Sequence, residues 1–127
     1  MARKTLREYS EDAPRSLSEV LLVEVNRNWC RDSVDLAPTT VDLPVGAVLA
    51  RTDDGAFVPY LTAAGDNQAA AVLVTPKSVS DEVQAAVVIS RGARVAASGL
   101  AFLSTVTDEE KQTAYGQLTA LGIIVEA

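Results

Sequence analysis

The sequence predicts a mainly β (α+β) domain with one α-helix close to its C-terminus. Three observations carry this reading. Residues 69–74 and 85–89 are continuous apolar runs of strand length. Asp53-Asp54-Gly55 separates two further β-compatible segments, 46–51 and 56–60, and Asp-Gly is a strong hairpin signal because it tolerates positive φ. Thr107 precedes Asp108-Glu109-Glu110, with Glu110 placed to complete a capping box.

Residues 1–18 are rich in charge, contain Pro14 and show no sustained apolar period, so they read as a mobile arm. Glu19-Val20-Leu21-Leu22-Val23-Glu24-Val25 follows, a run of strand length. Leu21, Val23 and Val25 share one wholly apolar face, and a strand with such a face wants a partner. A short helix opened by Ser18 is the competing reading. Val34, Leu36, Val41 and Leu43 bracket Pro38, which limits that stretch to an edge or a bend. Pro59 cannot donate to a ladder, which places it at a sheet edge.

The runs at 69–74 and 85–89 fit strands buried on both faces or packed under the helix, and Pro76 with the polar 77–82 stretch separates them. Residues 94–96 and 100–103 are short strand candidates punctuated by Gly92 and Gly99. In the helix, Ala114, Leu118 and Leu121 make an i, i+4, i+7 stripe with Tyr115 beside it, and three acids in the first turn suit the helix dipole. Gly122 supplies the stop, leaving 123–126 for a last strand. Gly116 costs roughly 1 kcal/mol against Ala inside a helix. Either it lets another backbone approach or it is merely tolerated.

Composition narrows the function classes. The 127 residues suffice for one domain with a core and are too few for two comfortable ones. Eleven basic against 17 acidic residues give a net charge of −6, which disfavours nucleic-acid binding. Residues 1–31 are close to neutral at +1, leaving −7 for the rest, which suggests two parts with different tasks. We therefore divide the chain into an extended N-terminal arm, residues 1–32, and a compact β-rich domain, residues 33–127. No run is long enough to span a bilayer and no signal-peptide region precedes the domain, so synthesis in a cytoplasm is expected, with no membrane partner.

The sequence offers little to catalysis. With no His, the commonest general base and metal ligand is missing. Asp53-Asp54 reads as turn chemistry and Asp108–Glu110 as capping, so neither marks a metal site. Cys30 lacks an activating partner and reads as a small packing residue. Arg91-Gly92-Ala93-Arg94 falls far short of a phosphate loop and reads as solvated charge or an inter-subunit ion pair. No cofactor and no enzymatic activity are expected; an enzyme here would have to work with carboxylates and Tyr alone. Trp29 stands apart as the single tryptophan. Its two readings are cover for one edge of the body and an interface anchor, since Trp is enriched where binding energy concentrates.

Pro44-Val45-Gly46-Ala47-Val48-Leu49, Phe57-Val58-Pro59-Tyr60, Val87-Val88-Ile89-Ser90-Arg91-Gly92-Ala93 and Ala120-Leu121-Gly122-Ile123-Ile124-Val125 together resemble the lambda-type head decoration proteins of tailed bacteriophages. The order and spacing of these motifs carry the likeness, over roughly the last two thirds of the chain. The resemblance implies a β-tulip-like domain that forms a homotrimer on the outer surface of an expanded head. It further implies a cement role, in which adjacent major capsid protein subunits are clamped and the N-terminal arm adds a strand to a capsid sheet.

On that implication the expected capsid-binding residues are Glu19, Val20, Leu21, Leu22, Val23, Glu24, Val25 and Trp29. The trimer faces are not legible. The alternative is another virion structural or adaptor module, such as a tail or head–neck component.

Overall fold

The computed structural model describes Tyr9 and residues 17–39, 41–52, 55–60 and 68–126. The mobile arm expected over 1–18 and the Asp53-Asp54 pair lie largely or wholly outside the described residues. Eight strands are seen among the described residues: β1 Leu21–Glu24, β2 Arg31–Leu36, β3 Val48–Arg51, β4 Phe57–Pro59, β5 Ala69–Leu73, β6 Gln84–Ile89, β7 Ala93–Ala96 and β8 Ile123–Glu126. A four-residue helix α1, Arg27–Cys30, links β1 to β2, and the long helix α2 spans Asp108–Ala120. The chain is mainly β, as its sequence predicts.

Five strands close into a barrel in the order β2-β4-β3-β5-β6, and three form a second sheet in the order β1-β7-β8. The predicted hairpin is β3–β4, antiparallel with Leu49 opposite Pro59 and Arg51 opposite Phe57. Gly55 makes its turn at φ +90°, with Thr52 N donating to Ala56 O at 2.8 Å. Parallel pairing of β4 with β2 is confined to Leu36 and Phe57, so Pro59 faces no ladder on that side and its missing N–H costs nothing.

The apolar runs are strands covered on both sides. Leu49, Ala71, Leu73, Ala86 and Val88 point into the barrel with Leu36, Leu43 and Phe57. Their neighbours Val48, Ala50, Val72 and Ile89 point outward into a second cluster beneath α2 and the small sheet, with Val20, Val95, Ala114, Leu118 and Ile123. Double coverage removes the polar half of the strand alternation, which is why these segments read as unbroken hydrophobic runs.

Helix α2 begins as predicted. Thr107 Oγ1 accepts from Glu110 N at 3.2 Å while Glu110 Oε1 accepts from Thr107 N at 2.9 Å, completing the capping box. Ala114 and Leu118 are fully buried, but Leu121 is 44% exposed. The helix ends at Ala120 with Leu121 as its C-cap, and the buried part of the predicted stripe stops at Leu118. Tyr60 Oη donates to Glu110 O at 3.0 Å, and Ala69 N donates to Gln117 Oε1 at 2.7 Å, fixing the helix over the barrel. Gly116 is exposed, and a β-carbon there would meet nothing within 4 Å.

Residues 17–32, which composition groups with the front of the chain, pack into the body. Leu17–Glu19 form one turn of 3-10 helix before β1, so both local readings of this stretch hold in part. Val20 and Cys30 are fully buried, and β1 pairs antiparallel with β7.

Candidate functional site

The most distinctive exposed surface is built by β1 and α1. Strand β1 occupies one edge of its sheet, with β7 on its inner side. Its register to β7 shifts between Leu21, opposite Val95, and Val23, opposite Arg94. Leu22 is the extra residue of a β-bulge, and a bulge breaks the in–out alternation. Leu22 and Val23 are consequently both about half exposed, and Val25 is 73% exposed. The wholly apolar face expected for Leu21, Val23 and Val25 is thus split: Leu21 packs partly against the core, while the other two stay uncovered.

Helix α1 turns the chain from the small sheet into the barrel. Asn26 caps it, its side chain accepting from Asn28 N at 2.9 Å. Cys30 Sγ donates to Gly92 O at 3.1 Å from a buried position, which is the packing role expected of it. Trp29 emerges beside it, 53% exposed, with its ring against Gly92. Any β-carbon on Gly92 would overlap the six-membered ring, and Gly92 also needs its positive φ of +64°. Trp29 thus covers the β6–β7 turn, the first of its two readings, and leaves half its surface to solvent.

Two ion pairs brace this surface. Arg31 donates to Glu24 through Nε at 2.7 Å and Nη2 at 2.9 Å, a bidentate contact across α1. Those hydrogen bonds hold the Glu24 carboxyl below the usual carboxylate range. Arg91 donates through Nη2 to Asp32 Oδ2 at 2.6 Å, donates through Nη1 to Trp29 O, and stands 5.9 Å from the Trp29 ring centroid. Ser90 Oγ donates to the same Asp32 oxygen at 2.6 Å; this bond, then Arg91, lowers the Asp32 pKa. Arg94 pairs with Glu126 at 3.0 Å. Both arginines of the 91–94 stretch thus find carboxylate partners within the chain while staying partly solvated, with side-chain exposures of 36% and 51%.

Of the residues expected to bind a capsid, Leu22, Val23, Val25 and Trp29 are each exposed apolar groups. Glu19 is exposed, Leu21 and Glu24 are half-buried, and Val20 is interior. Covering the exposed halves of the four apolar side chains would contribute on the order of 4 kcal/mol. Sequence reading missed Gly92, Arg91 and Asp32 as supports, although Gly92 between two strand runs was a local sign of a special turn.

Chemistry is poorly served elsewhere. A polar cleft of about 450 Å³ is lined in part by Asp32, Asp35 and Arg51, but Asp32 is already held by Arg91 and Ser90. Among the described residues no group of three or more His, Cys, Asp or Glu could hold a metal ion. Among the described residues no helix is long and apolar enough to cross a membrane.

The family model for bacteriophage lambda head decoration protein D matches residues 11–123. The chain belongs to this family. No curated protein matches it. Membership identifies a phage head decoration protein, a structural component of the virion capsid, and the match includes the whole β1–α1 surface. The family is structural rather than enzymatic, in line with the sparse chemistry of the chain.

Proposed function

We propose that this head decoration protein acts as a cement on the outside of an expanded phage head, as a homotrimer that clamps adjacent major capsid protein subunits. Residues 1–32 supply the shell contact, with β1 and α1 mounted on the body, and residues 33–127 form the rest of the decoration domain. The observation that supports this reading is the exposure of four apolar side chains within one short stretch, Leu22, Val23, Val25 and Trp29, on β1, the residue after it and α1. Apolar side chains clustered on a sheet edge favour docking, and an edge strand offers main-chain donors and acceptors to a neighbouring sheet. One such contact is modest in energy. Three linked through a trimer become intramolecular after the first, and avidity adds roughly 10²–10⁴ in affinity.

No catalytic step is needed for this role. The protein ties neighbouring subunits together against internal pressure and works by equilibrium binding, with no cofactor, nucleic acid or membrane. It is made in the bacterial cytoplasm and ends on the virion surface.

The test is cosedimentation with expanded and unexpanded heads, using wild type and V23E/V25E. Both valines are more than half exposed, so the fold tolerates the change. The expected result is selective binding of wild type to expanded heads and at least tenfold weaker binding of the variant. Equal occupancy by the variant would exclude this surface. Image reconstruction of decorated heads checks the trimer, and a six- or twelvefold ring would contradict it.

A further inference from the structure

Apart from the 22–29 stretch and Leu121, the large apolar side chains exposed among the described residues are Val79 and Val83, each more than half open to solvent. They flank Ser80-Asp81-Glu82 in the connection between β5 and β6. This connection is held firmly. Thr39 N donates to Ser80 O at 2.9 Å, Lys77 N to Leu43 O at 2.9 Å, and Val79 N to Asp42 Oδ1 at 2.8 Å. Within it, Ser80 Oγ accepts from Glu82 N at 3.1 Å, and Gln84 Nε2 donates to Ser78 O at 3.0 Å. A loop fixed in this way presents its valines in one arrangement, so little ordering entropy is lost when a partner covers them.

Charge selects the partner. Asp81 and Glu82 are exposed and have no cation partner among the described residues. The loop therefore fits a surface that carries a cation beside an apolar group, and a second copy of this chain has one. Arg31, Arg91, Arg94 and Lys111 are paired with carboxylates, which leaves Arg27, Arg51 and Lys77 among the described residues. Lys77 belongs to the acidic loop itself, and Arg51 lines a cleft with Asp32 and Asp35. Arg27 is exposed on α1, near Glu24, whose carboxylate Arg31 already holds. Trp29 stands two residues further along the same helical turn, close enough for one docking loop to reach both.

A closed ring of three needs two different, complementary patches on every chain, because each subunit meets its two neighbours through opposite sides of one heterologous contact. The loop and α1 make such a pair. Helix α1 enters β2 at Arg31, opposite Ile89, and the loop enters β6 at Gln84, opposite Leu36. They thus lie at the two ends of one ladder, about 17 Å apart along the strands.

We propose that the 79–83 loop of one copy docks on α1 of the next, with Asp81 and Glu82 toward Arg27 and the valines against Trp29, and that three such contacts close the homotrimer. This contact rests on the homotrimer reading given above and assigns its faces. Strand β1 and Val25 stay available to the shell.

The test compares full-length wild type, R27E, D81K/E82K and the combined R27E/D81K/E82K on expanded heads. Occupancy is read by cosedimentation and symmetry by image reconstruction. All three positions are exposed, so the fold tolerates the changes, and circular dichroism checks this. R27E and D81K/E82K each set like charges across the contact, and affinity is expected to fall roughly tenfold or more as avidity is lost. The combined chain restores opposite charges with their signs exchanged, and is expected to bind within about threefold of wild type. Wild-type affinity in all three variants, on heads that show threefold decoration, would overturn this contact and leave the homotrimer standing. Loss in all three without recovery in the combined chain would overturn it too, since residues that face each other compensate. Wild-type decoration without threefold symmetry would overturn the homotrimer reading, and this contact with it.

Discussion

The Trp29 ring lies so close to Gly92 that no β-carbon fits between them. This contact joins α1 to the β6–β7 turn, and it sets the position of the largest exposed aromatic surface on the chain. It rests on two demands that glycine alone meets, space and a left-handed backbone.

Replacing Gly92 by Ala should therefore cost about 2–4 kcal/mol, combining the left-handed penalty with overpacking against the ring. Trp29 should be displaced toward solvent. Because it is the single tryptophan, its fluorescence reports on this site without interference. The expected readout is a red-shifted emission with a lowered denaturation midpoint. An unchanged spectrum and midpoint would show that the ring does not rest on Gly92.

Acid should loosen the Glu24–Arg31 brace. The folded-state pKa of Glu24 is lowered, chiefly by its hydrogen bond to Arg31. A lowered carboxyl pKa contributes stability that is fully present above the unfolded value, about 4.3, and is lost as pH falls toward the folded one. Both partners are well covered, with side-chain exposures of 14% and 16%, so solvent screens the pair only partly. E24Q should cost about 1–2 kcal/mol at neutral pH and flatten the decline of stability below pH 5. Asp32 shifts in the same direction through Ser90 and Arg91, so a residual slope should persist until D32N is added. Denaturant midpoints between pH 3 and 7 check this; parallel profiles for wild type and E24Q would contradict it.

Gly116 offers the opposite kind of change. It is exposed within α2, and a methyl group there meets nothing. G116A should raise stability by up to about 1 kcal/mol through helix propensity and a less flexible unfolded chain. Calorimetry of the free protein checks this. Head binding of the same variant separates the two sequence-level readings of the glycine. Unchanged occupancy means it is merely tolerated, and reduced occupancy means that another backbone approaches α2 on the particle.

What could be read from the residues was what local rules determine. Thr107 and Glu110 announced the start of α2, and the 69–74 and 85–89 runs announced strands covered on both sides. Leu121 misled because burial followed the helix, which ends one residue earlier. The even alternation expected along β1 was lost to the bulge at Leu22, a property of its pairing with β7 that the segment itself does not encode. Val20 sits between Glu19 and the half-buried Leu21, and grouping residues 1–32 as an arm by their charge hid a fully buried core residue there. Arg91 seemed free because its partner, Asp32, lies 59 positions away.

Val20 and Cys30 also lead to a truncation experiment. A chain beginning at residue 32 loses both fully buried side chains, the β7 partner strand and the Trp29 cover of Gly92. Each such loss is worth one to a few kcal/mol, against a total stability of roughly 5–15 kcal/mol for a domain of this size. The 32–127 fragment should therefore be unfolded or show a broadened, non-cooperative transition by circular dichroism. A chain beginning at residue 17 keeps the 3-10 turn, β1 and α1, so it should retain a cooperative transition; among the described residues it loses the Tyr9–Leu103 bridge. Were the 32–127 fragment as stable as the full chain, β1 and α1 would be appendages on a self-sufficient barrel. If it collapses while 17–127 stands, the exposed apolar edge is mounted on a structural element of the body, and its loss in shell binding has to be probed by surface substitution rather than by deletion.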